Sequence, residues 1–402
     1  MSASGDGSAD ILVSGGGPAG LIAAAAFGAQ GHRVLCVDPA PPVTDETAAG
    51  ADLRSTAFLR PSVAFLDRIG LWAGLAPHAA PLAVMRIVDA GGAEPRARLV
   101  RDFKAGDLGD GPFGWNLPNW LIRREVMARL AGMPDVTFRP GTGTAGLIAR
   151  DDAAFVTLTD GSRLRARLVV AADGRNSAVR QAMGIGIRTI RYGQKALAFA
   201  VTHEFPHENI STEVHRSGGP FTLVPLPDRD GLPCSAVVWM ERGAQIARLQ
   251  ALPEAEFTAE LNDRSAGILG RLTPVTRLTV WPIISQIADR FSGPRVALIA
   301  EAAHVVPPIG AQGLNMSLAD LAALVDLSAD DPGNPGALQR YGRARRSEAL
   351  LRLMGIDALN RASMAGARPL RDLRAAGLGA IHAITPLRHL LMRAGMGGMG
   401  GG

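Results

Sequence analysis

The order of apolar and polar positions divides the chain into segments of different character. Residues 10–38 read as a strand, a glycine-rich turn, a helix and a second strand, which is the pattern of a βαβ unit. Apolar positions at helical spacing predict amphipathic helices over 57–72 and 123–130. Residues 136–170 alternate like a hairpin around an Asp-Gly turn, and they lead into a buried strand that ends at Ala172.

Residues 195–285 have a different pattern. Pro-rich turns separate short β-like runs, and one helix over 243–263 interrupts them, so this segment predicts an inserted, mostly antiparallel sheet. The four runs are 196–201, 222–226, 235–239 and 278–284. A buried strand over 295–300, a Gly/Pro-rich loop and a helix over 314–327 follow, and the chain from 337 onwards is predicted to be helical.

Composition excludes several classes of protein. Of the 402 residues, 47% are hydrophobic and 20% are charged, so the chain can bury large cores and is not disordered. Two cysteines exclude a disulfide scaffold and fit a reducing, cytoplasmic compartment. The histidines show no metal-ligand spacing, and no serine lies in a G-x-S-x-G elbow, so we expect neither a metal site nor a serine hydrolase. No segment reaches 18 apolar residues, so none is predicted to span a membrane.

Positive charge is concentrated towards the C-terminal end. Residues 337–402 contain eleven arginines and three acidic residues, whereas the rest of the chain carries a net charge of −3. With apolar residues such as Leu351 and Met354, this region predicts a peripheral contact with the anionic inner face of a membrane, centred on residues 366–402. The alternative is a surface helix that packs its apolar face on the body of the protein. Because Tyr341 is the only aromatic residue of the region, nucleic acid is not an expected partner.

The first segment that carries chemistry is Gly15-Gly16-Gly17-Pro18-Ala19-Gly20. In a G-x-G-x-x-G motif, Gly15 permits the tight turn, Gly17 lets a pyrophosphate approach the backbone, and Gly20 lets the helix pack closely on the strand. The free N–H groups at the start of that helix favour phosphates. Asp38 ends the second strand, 18 residues after Gly20, where an acid bonds ribose hydroxyls. These features together predict a dinucleotide site.

Two later strands also end at an acidic residue. Asp173 follows a buried strand at the carboxyl edge of a sheet, where α/β folds bind ligands, although an ordinary Asp-Gly turn is the alternative. Glu301 ends the strand over 295–300, and His304 lies three residues further on. A Pro-Pro loop then leads to a helix that opens near Gly313, and its free N–H groups favour a negatively charged ligand.

The three segments together resemble the class A FAD-dependent aromatic hydroxylases, which have the p-hydroxybenzoate hydroxylase-like fold. The order and spacing agree from residue 10 to about residue 330, and the chain is closely similar to the ubiquinone-biosynthesis hydroxylases of the UbiH/UbiF kind. The stretches that carry this closer resemblance are 52–55, 66–72, 119–123, 221–226 and 236–239.

The resemblance implies roles for single residues. The first segment and Asp38 would hold the ADP part of FAD, Arg54 and Arg123 would lie near the flavin, and the third segment would hold the ribityl chain and the ring. Arg54, His304 and Pro308 are the implied catalytic residues, with a surface ion pair as the alternative for the arginines and a positioning or packing role for His304. The implied cofactor-binding residues are Gly15, Gly17, Pro18, Ala19, Gly20, Asp38, Arg54, Arg123, Asp173, Glu301, Pro308, Gly310, Gly313, Leu314 and Asn315.

Two positions depart from the family pattern. The third motif of the family usually begins with Gly-Asp, whereas this chain has Ala300-Glu301. Ala300 adds a Cβ where the backbone approaches the cofactor, and Glu301 reaches one methylene further. Asp38 stands where the family usually has Glu, which is a chemically equivalent acceptor. We expect FAD to bind, with its geometry at the third motif altered.

The function implied by the resemblance is that of an FAD-dependent monooxygenase. NAD(P)H or a partner reductase would reduce the FAD, dioxygen would be the co-substrate, and a C4a-hydroperoxyflavin would hydroxylate an electron-rich ring, a prenylphenol intermediate of ubiquinone biosynthesis. The alternatives are a flavoprotein reductase of isoprenoid double bonds, a flavin-dependent halogenase, and a non-catalytic scaffold in a ubiquinone-synthesis assembly. The sequence does not specify which ring carbon is hydroxylated.

The predicted architecture is α/β, with a Rossmann-like FAD-binding domain, an inserted and mostly antiparallel β-sheet substrate domain, and a C-terminal helical region. The FAD-binding domain is expected to cover 1–180 and 291–336, and the substrate domain 181–290 together with the segment 75–110. The helical region covers 337–402. The expected partners are a hydrophobic small-molecule substrate, other ubiquinone-biosynthesis proteins and a second copy of the chain in a homodimer.

Overall fold

The computed structural model describes residues 7–92, 94, 96–216, 218–364, 382 and 384–395. Its helices are α1 (Pro18–Ala29), α2 (Arg60–Arg68), α3 (Trp72–Leu75), α4 (Asn119–Ala131), α5 (Ala178–Ala182), α6 (Gly243–Ala251), α7 (Glu254–Arg264), α8 (Ala300–Ala303), α9 (Gln312–Leu327), α10 (Pro335–Ser363) and α11 (Thr385–Gly395). Its strands are β1 (Ser8–Ser14), β2 (Val34–Asp38), β3 (Ser55–Leu59), β4 (Ala80–Leu82), β5 (Val84–Asp89), β6 (Leu99–Lys104), β7 (Gly114–Pro118), β8 (Val136–Pro140), β9 (Thr144–Ala149), β10 (Ala154–Leu158), β11 (Arg163–Ala171), β12 (Ile187–His203), β13 (Ile210–His215), β14 (Pro220–Arg229), β15 (Leu232–Arg242), β16 (Leu272–Pro274), β17 (Thr279–Ala288), β18 (Ser292–Gly293), β19 (Val296–Leu298) and β20 (His304–Val305).

The first sheet carries the predicted dinucleotide motif. Its strands lie in the order β18-β19-β11-β1-β2-β8, and β9 and β10 extend it beside β11. Strands β19, β11, β1, β2 and β8 run parallel, so Asp38 at the end of β2 and the acids that follow β11 and β19 lie near one edge of the sheet. The Ala-rich helix α1 is buried from Ala19 to Phe27, and its small side chains let it approach the sheet closely. The predicted βαβ unit is confirmed.

The second sheet has nine strands and separates a hydrophobic core from a cavity. Its order is β20-β17-β12-β15-β14-β13-β5-β6, with β16 beside β12, and all its pairs are antiparallel except β13 with β5. One face packs against α6 and α7 through residues such as Phe199, Trp239, Phe257 and Leu261. A third sheet, in the order β3-β7-β4, lies beside it. Strands β5 and β6 come from the segment 75–110, while the domain limits themselves stay predictions.

Most predicted elements are confirmed, and four differ from the prediction. The helix expected over 57–72 begins only after Leu59, because the preceding residues pair with β7 as strand β3. The region 136–170 forms four strands, of which β10 and β11 make the expected hairpin. The helix expected over 243–263 is two helices, since Pro253 cannot donate a helical hydrogen bond. The strand expected to reach Ala300 ends at Leu298.

The C-terminal region contributes α10 and α11. The hydroxyl of Tyr341 on α10 donates to the carbonyl of Leu298, 2.7 Å away, which fixes the helix on the first sheet. Leu351 and Met354 on the same helix are exposed. Most of the predicted membrane-docking segment, residues 365–381 and 396–402, lies outside the described residues, so membrane contact stays a prediction. Across the described part of the chain, no helix combines the length and the apolar character needed to cross a membrane.

Candidate active site

The glycine-rich turn between β1 and α1 forms one end of the site. Gly15 has a φ of +114°, and a Cβ added there would lie 2.3 Å from the carbonyl oxygen of Ala172. A Cβ on Gly20 would lie 1.9 Å from the carbonyl oxygen of Gly15. A Cβ on Gly17 would have no protein atom within 4 Å, because Gly17 borders open space. Since no side chain caps α1, its first N–H groups are left for a ligand.

Asp38 organises this turn from the next strand. Its Oδ2 accepts a hydrogen bond from the N–H of Gly16 at 2.5 Å, and its Oδ1 accepts from the N–H of Ala40 at 2.8 Å. The carboxylate therefore ties the end of β2 to the middle of the turn. Its predicted bond to a ribose stays a prediction.

A cavity of about 1480 Å³ extends from the turn. Its walls include the turn at 17–20, the loop over 305–314 and the inner side of α10. The second sheet contributes a mostly apolar wall that includes Met85, Ile87, Ala198, Val224, Val238 and Ile283. Pockets that bind a single drug-sized ligand have volumes of roughly 300–1000 Å³. The cavity thus has room for a dinucleotide and a second, apolar molecule.

Two arginines share one buried carboxylate at the side of the cavity. Arg54 donates from Nε and Nη2 to the two oxygens of Asp52 at 2.8 and 2.7 Å, and its guanidinium lies 3.8 Å from the ring centre of Trp281. Burial raises the pKa of Asp52, but the bonds from Arg54 and Asn119 and the charge of Arg123 outweigh it, so the net shift is downward. Asp52 is therefore ionised, and it holds Arg54 against the cavity.

Arg123 is the second cation of this cluster. It lies 3.9 Å from Asp52, and its buried Nε has no hydrogen-bond partner among the described residues. Burial lowers the pKa of Arg123, while Asp52 opposes the shift. The side chain stays protonated, because an arginine in a protein does not lose its proton. A buried donor without a partner, beside a cavity, is a position that a polar ligand would satisfy.

Asp173 supplies a matching acceptor. Its Oδ2 accepts from the N–H of Val179 at 3.1 Å, whereas its buried Oδ1 has no partner among the described residues. Burial raises the pKa of Asp173, and the hydrogen bonds that it accepts only partly oppose this. Its neighbours Gly174 and Arg175 line the cavity. An open donor at Arg123 and an open acceptor at Asp173 fit the hydroxyls and phosphates of FAD, so the residues present fit the cofactor.

The third motif begins in a strained conformation. Ala300 has a φ of +53°, in the left-handed region that favours glycine. Glycine, which the resemblance leads us to expect at this position, would adopt this φ without strain, and the chain accommodates alanine there. The side chain of Glu301 points towards Arg175, whose Nε lies 3.6 Å from Oε2. Both Ala300 and Glu301 line the cavity.

His304 belongs to a buried network behind the cavity loop. Its Nε2 lies 2.5 Å from Oδ2 of Asp320, and Arg345 donates from Nε to Oδ1 of the same carboxylate at 2.8 Å. The side chains of His304 and Asp320 are 1% and 0% exposed. This geometry fits the positioning role that the sequence favoured for His304, while the role itself stays a prediction. No sequence motif pointed to Asp320 or Arg345, because nothing in the residues around them distinguishes them from the other charged residues of their helices.

Two amide side chains hold the loop that follows. Gln312 donates from Nε2 to the carbonyl of Gly310 and accepts at Oε1 from Arg352, both at 2.8 Å. Asn315 donates to the carbonyl of Ala57 at 2.7 Å and accepts from the N–H of Leu59 at 2.9 Å, so it joins α9 to β3. Asn315 therefore shapes the site from behind the cavity wall.

The structure brings most predicted site residues to one cavity. Those that line it are Gly17, Pro18, Ala19, Gly20, Arg54, Arg123, Glu301, His304, Pro308, Gly310, Gly313 and Leu314. Gly15, Asp38, Asp173 and Asn315 are next to the lining rather than part of it. The described residues include no group of three or more His, Cys, Asp or Glu side chains that could hold a metal ion. The fold and the site together define a flavin-dinucleotide enzyme with a second, apolar binding space.

Comparison with known proteins agrees with that class. Residues 8–349 match the FAD binding domain family, and the chain belongs to this family. It is 37% identical to the ubiquinone hydroxylase UbiL of Rhodospirillum rubrum, in an alignment that covers 99% of this chain and 91% of the relative. It is 28% identical to the 3-demethoxyubiquinol 3-hydroxylase of Escherichia coli, over 96% of this chain and 98% of the relative.

A solved structure shows the same fold. The p-nitrophenol 4-monooxygenase of Pseudomonas putida superimposes with a TM-score of 0.78 at 22% identity, over 98% of this chain and 99% of that chain. The predicted fold class and the resemblance to FAD-dependent hydroxylases are confirmed, and the chain is an FAD-dependent monooxygenase.

Proposed function

We propose that the protein hydroxylates the aromatic ring of a prenylphenol intermediate of ubiquinone biosynthesis, with NAD(P)H or a partner reductase as electron donor. The relatives named above are a ubiquinone hydroxylase and a demethoxyubiquinol hydroxylase. The observation that carries the proposal is the construction of the cavity, which has a dinucleotide turn at one end and an apolar sheet face along its length. Such a space suits a cofactor and an apolar ring with a hydrocarbon chain.

Different residues around the cavity would hold different parts of FAD. The turn at 17–20 and the N-terminus of α1 would hold the diphosphate, and Arg123 and Asp173 would bond the polar middle of the cofactor. The loop over 305–313 and the N-terminus of α9 would hold the ring system. The free N–H groups of α9 stabilise negative charge there. Bound FAD supplies the redox chemistry that activates dioxygen.

The second sheet and α10 supply the substrate space. Val224, Val238 and Ile283 place apolar side chains along one wall, which excludes water from the reacting ring. The cavity continues along α10 to Leu351 and Leu359, whose side chains are exposed. A prenyl chain lying along α10 would reach the surface there. Contact with a membrane or with other ubiquinone-biosynthesis proteins at that surface stays a prediction.

The experiment follows labelled oxygen into the product. The purified protein, with bound FAD, receives NAD(P)H, ¹⁸O₂ and a prenylphenol with a short isoprenoid chain, and the products are analysed by mass spectrometry. We expect one ¹⁸O atom in the ring. Reduction of an isoprenoid double bond without ¹⁸O would support the reductase alternative, and a protein without affinity for FAD would support the scaffold alternative.

A substitution in the cavity wall can distinguish cofactor binding from substrate binding. Ala198 lies on the cavity face of β12 and is buried. Ala198→Phe fills the space opposite the cofactor, so we expect it to keep FAD and lose hydroxylation of the prenylphenol. Unchanged hydroxylation by this variant would contradict the placement of the substrate against the second sheet.

A further inference from the structure

Two titratable side chains interrupt the apolar wall of the second sheet. Glu213 and His215 lie on β13 and line the cavity, whereas the alternate residues Thr212 and Val214 face the other side of the strand and are buried. The side chains of Glu213 and His215 are only 9% and 12% exposed. The known features of the site do not use them.

One ring nitrogen of His215 has a hydrogen-bond partner, and the other has none among the described residues. Nε2 of His215 lies 2.7 Å from Oε1 of Glu213. Nδ1 is buried and has no hydrogen-bond partner among the residues that the structure describes. Because the carboxylate fixes Nε2 as the donor, Nδ1 of the neutral ring is an acceptor. A buried acceptor without a partner lowers stability, and a ligand hydroxyl would remove that cost.

The neighbouring carboxylate of Asp89, unlike Nδ1 of His215, has hydrogen-bond partners. Asp89 is the register partner of His215 on β5 and also lines the cavity. Its Oδ1 accepts from Nη2 of Arg98 at 2.7 Å and from the N–H of Gly91 at 3.1 Å. The charge of Asp89 is thus balanced by Arg98, whereas Nδ1 of His215, on a side chain that lines the cavity, has no partner among the described residues.

The separation between His215 and the cofactor loop suits an aromatic ring. Strands β14 and β15 lie between β13 and β12, so His215 is three strands from Ala196. At about 4.8 Å per strand, this distance is roughly 14 Å across the sheet. Ala196 and Ile309 of the cofactor loop belong to the same hydrophobic cluster. A substituted ring and its contact distances on both sides would span this gap.

The tyrosines are not placed to serve as the base. Tyr192 does not line the cavity, and its hydroxyl donates to Asp357 at 2.7 Å. Burial and the bond to Asp357 raise the pKa of Tyr192 to about 12. Tyr341 is fully buried against Leu298. His215, in contrast, lines the cavity and has a ring nitrogen without a partner among the described residues, so the geometry favours it over the tyrosines for handling a substrate proton.

We propose that His215, oriented by Glu213, is a catalytic residue that binds the hydroxyl of a phenolic substrate at Nδ1 and removes its proton. The proposal rests on the proposed function. In this step the phenol O–H bond breaks, an N–H bond forms at Nδ1, and the ring becomes a phenolate. The imidazolium is stabilised by the carboxylate of Glu213. The phenolate ring is richer in electrons and reacts faster with an electrophilic oxygen, and the proton returns to the oxygen of the product.

The test compares variants with two ligands, a short prenylphenol and its methyl ether, and measures ligand binding from the fluorescence of bound FAD. The Oδ1 of His215→Asn can replace Nδ1 as acceptor but cannot take a proton. We expect this variant to bind the phenol within about fivefold of the wild type, while kcat falls by about 10²–10⁴, the usual contribution of a general base. His215→Leu should also lose the preference for the phenol over the methyl ether.

The control is a histidine outside the cavity. Both nitrogens of His203 are bonded, Nδ1 to the carbonyl of Phe205 at 2.8 Å and Nε2 to the hydroxyl of Ser235 at 3.0 Å. His203→Asn should lower thermal stability without changing the ligand preference. A kcat of His215→Asn within threefold of the wild type would overturn the proposal. If the wild type hydroxylates no prenylphenol, the proposed function fails instead, and an equal affinity of wild type and His215→Leu for the phenol would then overturn the role of His215 as well.

Discussion

Two strand-to-helix turns face the cavity, and they hold their shapes by different means. The turn from β1 to α1 is shaped by missing side chains, because a Cβ on Gly15 or Gly20 would collide with backbone carbonyl groups. The turn from β20 to α9 contains a non-glycine residue in an unfavourable conformation, Ala311 with a φ of +56°. The glycines of the first turn adopt its conformation without strain, whereas the second turn must be held by side chains around it.

The side chains that hold the second turn come from elsewhere in the chain. His304 at its start is bonded to Asp320 on α9, and Asp320 is bonded to Arg345 on α10. Gln312 at its end is bonded to Arg352, also on α10. A turn that lines the cavity thus depends on a helix that comes later in the sequence. This difference predicts that the two turns fail in different ways when they are changed.

The largest expected effect is at Asp320. Asp320→Ala leaves the guanidinium of Arg345 buried and removes the partner of His304, and loss of one member of a buried ion pair costs about 3–5 kcal/mol. Chemical unfolding of the FAD-free protein measures this loss of stability, with Asp320→Asn as the milder variant. The control is Asp326→Ala on the same helix, whose exposed pair with Arg68 is worth about 1 kcal/mol or less. Equal losses at the two positions would mean that the buried network does not hold the second turn.

The next-largest effect distinguishes Gly20 from Gly17 in the first turn. Gly20→Ala places a Cβ 1.9 Å from a carbonyl oxygen, so the turn must open, at a cost of about 2–3 kcal/mol and with loss of FAD. Gly17→Ala meets no protein atom within 4 Å, so we expect unchanged stability of the FAD-free protein and at least tenfold weaker FAD binding. Unfolding curves and FAD titration of both variants check this. A Gly17→Ala variant that binds FAD normally would contradict the placement of the diphosphate at this turn.

The same contrast explains what the sequence could and could not predict. The first turn is local, since six adjacent residues, the strands beside them and Asp38 all contribute to one recognisable pattern. Parts of the long strands β12, β14 and β15 could also be predicted, as the β-like runs over 196–201, 222–226 and 235–239. Strands β5, β6 and β13 were missed, because their pairing joins residues from 84 to 215 and their own sequences are mixed in polarity. The sequence predicted Arg54 and His304 as site residues, but not their partners.

The partners were missed for a physical reason. An ion pair within a folded core is defined by distance in space, and nothing in the local sequence marks Asp320 or Arg345 as buried. The pair of Glu213 and His215 is similar, since two polar residues at i and i+2 of a strand usually mark a solvated face. Only the position of β13 above the cavity makes that face a site. The roles of the predicted cofactor residues stay predictions.

The smallest expected effect is at the start of the third motif, where the chain departs from its family. Ala300 holds a left-handed φ that costs an L-residue about 1–2 kcal/mol, while glycine loses roughly 0.5–1 kcal/mol through the freedom of the unfolded chain. Ala300→Gly should therefore raise the free energy of unfolding by about 0.5–1 kcal/mol. The control is Ala303→Gly in the same short helix, α8. Ala303 has no positive φ, so this substitution should lower the free energy of unfolding by about 0.5–1 kcal/mol. Chemical unfolding of the FAD-free variants measures both signs. If both substitutions destabilise equally, the left-handed φ of Ala300 carries no strain.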